Sequence, residues 1–127
     1  MIAPVKEKTK VTQCLMILND PPYGTERSYN GLRLAGALAR DENTKVRVFL
    51  IGDAVGCAKR NQNLPKGYYS LEVMLGSLAR RGAAVGVCGS SMDARGMGDD
   101  GLVDGSHRSS MEELAAWTGA ADRVPVF

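Results

Sequence analysis

One cysteine stands where nucleophilic chemistry is readily arranged. Residues 83–97 read AAVGVCGSSMDARGM. A short apolar run, Ala83 to Val87, delivers Cys88, and Gly89-Ser90-Ser91 follow at once. The pattern predicts a buried strand ending at Cys88 and a tight turn that opens a helix behind it. Only the thiolate is a good nucleophile, and its pKa falls at a helix N-terminus or beside Arg and Lys. Gly89 permits close backbone approach. The N–H groups of Gly89 to Ser91 can present themselves to an anion, and Arg95 returns toward the same place one or two turns on. The plainer alternative is a small hydrophobe closing a strand, since free cysteine is often buried.

Cys57 lies in a long polar stretch, Asp53 to Gly67, with Lys59 and Arg60 close behind. A lowered pKa is open to it, and so is the role of an incidental loop cysteine. Cys14 sits among Leu15, Met16 and Ile17 and reads as core. Three cysteines with no paired spacing make no disulfide framework. Without a C-x-x-C and with one histidine, His107, there is no zinc pattern. The C-x5-R loop of cysteine phosphatases does not fit, because the spacing from Cys88 to Arg95 is C-x6-R. Asp93 inside that loop would also repel an oxyanion. A receiver domain needs an aspartate where Cys88 stands and a lysine after the last strand. GDAVG, residues 52–56, is not G-x-G-x-x-G, and no Walker motif exists, so no cofactor is expected. His107 reads as a solvated residue before the last helix, and nothing in the spacing assembles Ser90, His107 and Asp104 into a triad.

The elements that must position Cys88 follow from periodicity. Residues 1–10 read as a flexible tail, and residues 11–127 as one α/β domain. Val11 to Asn19 is the first strand, near-continuous in apolar character as suits a strand covered on both faces. The turn signal Asp20-Pro21-Pro22-Tyr23-Gly24 follows, and Thr25 is placed to cap a helix running to about Arg40. Tyr29, Leu32, Ala35, Gly36 and Ala39 share one face of that helix, while Leu34 and Leu38 lie elsewhere. Two apolar sides imply contact with another subunit as well as with the sheet.

Lys45 to Gly52 is the second strand, and Tyr68 to Arg81 a helix with Leu71, Met74, Leu75 and Leu78 in register. Ala83 to Cys88 is the third strand, with a short helix over Ser90 to Met97. Leu102-Val103 is placed to start a brief fourth strand. Ser109 with Glu112, or Ser110 with Glu113, makes a capping box for the last helix. Arg123 to Phe127 is a closing strand, confined to an edge by Pro125. This order implies a single three-layer domain, a mostly parallel sheet of about five strands with helices on both faces. Ligands in such sheets bind at the carboxyl ends of the strands. The stretches Asp20 to Thr25, Asp53 to Lys66 and Cys88 to Arg95 should meet there.

Composition closes off several classes. Hydrophobic residues are 44% and charged residues 24% of the 127, ordinary for a globular protein. A net charge of +2 gives no footprint for nucleic acid. No apolar run approaches the roughly 20 residues of a membrane span, and the N-terminus lacks the apolar region of a signal peptide. The expectation is a cytoplasmic protein.

In this order the residues resemble the DsrE/DsrF-like (YchN-like, TusD-like) sulfur-relay family. The resemblance covers nearly the whole chain. It rests on Gly24-Thr25 leading into a long helix, VRVFLIGDAV with its loop, Pro65-Lys66-Gly67-Tyr68, Cys88 with Arg95-Gly96 behind it, and the ending SSMEELAAW. It implies a small α/β domain forming homo-oligomers, trimers or hexamers. It also implies a persulfide on the cysteine after the third main strand, here Cys88, served by sulfur-donor and sulfur-acceptor proteins. Arg95 is the expected catalytic companion. Gly24, Thr25, Cys57, Gly89, Ser90 and Ser91 are expected to line the site, with Cys57 a possible second acceptor or resolving thiol. The alternative is a non-catalytic oligomeric domain holding a small ligand or protein partner at the strand-end cleft.

Overall fold

The structure, a computed structural model, describes residues 10–127. The expected tail, residues 1–10, lies outside the described residues except for Lys10. Strand β1, Thr12–Leu18, pairs in parallel with β2, Thr44–Leu50. Strand β3, Ala84–Cys88, continues the sheet, and β4, Ser106–Ser109, closes it, in the spatial order β1-β2-β3-β4. Beyond β1 the closing segment adds a fifth, looser edge through isolated parallel bridges, Cys14 with Arg123 and Ile17 with Val126. Pro125 has no N–H to give, and only its carbonyl is used there, accepting from Ile17 N at 3.0 Å.

Both faces of the sheet are covered. Helix α1, Arg27–Leu38, comes close enough to β1 that a Cβ on Gly31 would lie 2.5 Å from a Leu18 methyl. Leu18 pairs with Leu50. The neighbouring Phe49 therefore points to the opposite face, where its ring meets Trp117 edge-on at 6.2 Å. Trp117 belongs to helix α4, Met111–Ala120, and Arg47 lies over its indole. Helix α2, Leu71–Arg80, packs beside α1. The core is the two-sided run of β1 and β2 with Val85, Val87 and the inner faces of these helices.

The structure corrects several boundaries. The fourth strand is not Leu102-Val103, since Leu102 makes only an isolated antiparallel bridge to Lys59. The strand is SHRS, a polar edge segment that no hydrophobic alternation announces. Helix α2 begins at Leu71, because Ser70 is the N-cap and accepts from Val73 N at 3.3 Å. Thr25 is not the N-cap of α1; Glu26 holds that position, and Thr25 Oγ1 accepts from Arg27 N at 3.4 Å. The capping box at α4 is half made. Ser110 Oγ accepts from Glu113 N, but the Glu113 carboxylate turns to Ser109 and His107. The 53–67 stretch is not plain loop either: Gly52–Ala58 winds as a 3-10 turn whose Ala54, Val55, Cys57 and Ala58 are buried.

Candidate functional site

Cys88 is the last residue of β3 and the N-cap of the short helix α3, Gly89–Asp93. The strand runs directly into the helix, and glycines on either side of Cys88 let the turn pack closely. Gly86 leaves room for Phe49 and Ser109, and a Cβ on Gly89 would meet the Arg108 guanidinium at 2.9 Å and the Ser109 carbonyl at 3.1 Å. The turn thus packs tightly against β4.

The thiol's surroundings favour its anion. Cys88 Sγ lies 3.3 Å from Ser90 Oγ. Ser91 Oγ accepts from Gly52 N at 2.9 Å, which leaves the Ser91 hydroxyl proton for the sulfur. Burial pushes the thiol pKa up, but hydrogen bonds from the hydroxyls and N–H groups of Ser90 and Ser91 outweigh it and carry it below the ordinary 9.0. Cys57 is the opposite case. It is fully buried, and burial pushes its thiol up to about 12 against a hydrogen bond from Ser28. Cys88 is 5% exposed and Cys57 0%, so the two sulfurs differ in access as well as in acidity. A thiol pushed up to about 12 is protonated at neutral pH, which weighs against Cys57 as a resolving group. Cys14 is buried in β1, and all three cysteines are free thiols.

Charged side chains brace the turn. Arg95 donates to the Ser91 carbonyl at 3.0 Å and to Asp53 Oδ1 at 2.7 Å. Its charge is met by Asp53 and its hydrogen bonds fix Ser91, so it positions the turn from outside. Arg108, which the sequence did not single out, does the same from β4. It donates to the Gly89 carbonyl at 3.2 Å, to Asp93 at 2.6 Å and to Asp99 at 3.2 Å. The Asp93 charge inside the loop is therefore neutralised locally. No motif marks Arg108; its signal was its place in a strand that polar composition hid.

The three expected stretches do meet along the carboxyl edge. Pro22 packs within 3.3 Å of where a Gly56 Cβ would lie, and Arg95 bonds Asp53. Within the first stretch the individual residues serve other contacts. Thr25 Oγ1 donates to Asp20 at 3.1 Å, and Gly24 opens onto a cavity lined by tyrosines. Neither hydrogen-bonds Cys88. His107 pairs with Glu113 and Asp104 with Arg60, so no triad forms with Ser90. A groove of about 830 Å³ runs between α1 and α2, lined in part by Leu34, Val73, Met74 and Phe127, and does not include Cys88.

Comparison with known proteins agrees with this architecture. The model of the DsrE/DsrF-like family matches residues 13–127. Protein YchN of Escherichia coli K12 is 39% identical over 114 residues, spanning 89% of this chain and 97% of that protein. The protein MJ0989 of Methanocaldococcus jannaschii is 35% identical over 112 residues, 88% of this chain and 96% of its own length. The crystal structure of the E. coli ychN protein superposes with a TM-score of 0.87 at 37% identity, over 92% of this chain and all of that one.

Proposed function

The chain belongs to the DsrE/DsrF-like family, and from that premise we propose that it carries sulfane sulfur in the cytoplasm as a persulfide on Cys88. The observation that carries the reading is the acidified thiol at the end of β3. Ser90 and Ser91 lower its pKa while the other two cysteines have theirs raised by burial. The thiolate attacks the outer sulfur of a donor persulfide. A bond forms between Cys88 Sγ and that sulfur, and the donor's S–S bond breaks. The electron pair leaves on the donor thiolate, and the outer sulfur keeps its proton. The product is a reversible cap, and the same N–H and hydroxyl groups that hold the thiolate favour the persulfide anion. Transfer to an acceptor thiolate repeats the step in the other direction. Arg95 and Arg108 hold the turn and touch neither sulfur.

The second reading is an oligomeric binding domain without sulfur chemistry. It would hold a small ligand or a protein partner at the strand-end cleft, where Gly52, Asp53, Ser91 and Arg95 meet. Iodoacetamide labelling separates the two. The sulfur-carrier reading expects Cys88 to alkylate near neutral pH faster than a free thiol model compound and Cys57 to stay unlabelled in the native protein. Slow labelling of Cys88, with a thiol pKa near 8.5 or above, favours the binding domain.

A further inference from the structure

The chain contains four tyrosines, Tyr23, Tyr29, Tyr68 and Tyr69, and all four line one cavity of about 470 Å³. Two loop tips, one leaving β1 and one entering α2, build it with the first turn of α1. Gly24 and Gly67 sit at those tips with φ of +98° and +90°, and a Cβ on either would meet nothing within 4 Å. The cavity is therefore open at these tips. Tyr23 Oη donates to Gln62 at 2.5 Å and accepts from Leu71 N at 3.1 Å. Tyr69 stacks on Tyr29 with centroids 4.0 Å apart and on Tyr23 at 5.9 Å. Tyr68 is 67% exposed at the rim.

The charge of the lining is one-sided. Glu26 is its only ionised group, and no cationic side chain lines it. Among the described residues Glu26 makes no ion pair. We propose that this cavity binds an organic cation, a guanidinium or quaternary ammonium head, against the tyrosine rings with Glu26 as its counter-charge. Ring faces and phenol oxygens attract a desolvated cation. The cluster already accepts one from outside the cavity: the Arg33 guanidinium lies 5.6 Å from the Tyr29 centroid. The Tyr69 phenol is held above its ordinary pKa by burial and then by Glu26 and the other tyrosines, so a further negative charge is resisted there. An anionic ligand would meet that repulsion, and a neutral planar one would gain nothing from Glu26. Cys88 is not in the lining, so the inference stands independently of the persulfide.

The test is an NMR titration of the tyrosine ring signals with choline, with its neutral carbon analogue 3,3-dimethylbutan-1-ol, and with acetyl-arginine amide. At least one of the two cations should give saturable shifts with a Kd on the order of millimolar, as a few cation–π contacts allow. The neutral analogue should bind at least roughly 5-fold more weakly, and Tyr68→Ala or Glu26→Gln should each weaken the cation roughly 3-fold or more. Both positions are exposed, so both variants should fold. Preference for acetyl-arginine amide assigns the site to a side chain of a partner protein, and preference for choline to a free small cation. Equal binding of the neutral analogue, no saturable shift with either cation, or unchanged affinity in both variants overturns the inference.

Discussion

Ser90 and Ser91 decide what Cys88 can do. Burial alone would raise the Cys88 thiol, as it does Cys57; two hydroxyls and two N–H groups reverse the direction. Ser90→Ala removes one of these donors. Its thiol should titrate higher than the wild type, and its iodoacetamide rate at neutral pH should fall several-fold. Rates measured against pH check this, and an unchanged profile would mean that Ser90 does not tune the sulfur. Cys57 gives a prediction of opposite sign. Unfolded, its thiol ionises near the ordinary 9.0; folded, it stays protonated to about 12. Its contribution to stability is complete below pH 9 and is lost as pH rises from there through about 12. Urea unfolding across that range should show a steeper alkaline decline in the wild type than in Cys57→Ala. At this scale the sequence was legible for Cys88, whose Gly-Ser-Ser sequel carries the donors in plain order. It was misleading for Cys57, because Lys59 and Arg60 suggested an acidified thiol while the burial of Gly52–Ala58 was invisible in its mixed composition.

The turn from β3 into α3 is held by elements on either side. The 3-10 turn at Gly52–Ala58 supplies Gly52 N–H and Asp53, and β4 supplies Arg108. Gly89 is the point of closest approach between turn and β4. Gly89→Ala should cost about 1–3 kcal/mol of stability through overpacking against Arg108 and the Ser109 carbonyl. It should also slow Cys88 alkylation by shifting the turn. Thermal melts and labelling rates together test this; a full-rate, full-stability variant would show that the packing has slack. The elements with clear periodicity, β1, α1, β2, α2 and β3, were legible to within a few residues. Strand β4 was not, because SHRS is an edge strand with polar side chains and owes its place to backbone pairing with β3. The start of α2 was misplaced because Tyr68 and Tyr69 line the cavity and precede the Ser70 cap.

At the scale of the whole molecule, four parallel strands in chain order put every strand-to-helix turn on one edge. The chain then crosses the sheet through α4 to bridge β1. The expectation of about five strands is met by four and this looser fifth edge, and the sequence order alone was enough to imply it. We propose that the chain self-associates through the groove between α1 and α2. Leu34 is 38% exposed on α1 and Val73 64% exposed on α2, both lining the groove between those helices. Light scattering should give the mass of a trimer or hexamer, and Val73→Glu should reduce it by placing a charge in the apolar contact. A wild-type monomer would contradict this reading of the two-sided helix. The persulfide itself is readable on the intact molecule. Incubation with polysulfide or a cysteine desulfurase, followed by intact-mass spectrometry, should show a gain of one sulfur, about 32 Da, reversed by dithiothreitol. The gain should persist in Cys57→Ala and vanish in Cys88→Ala; no gain with any donor, or a gain that survives Cys88→Ala, would contradict the account.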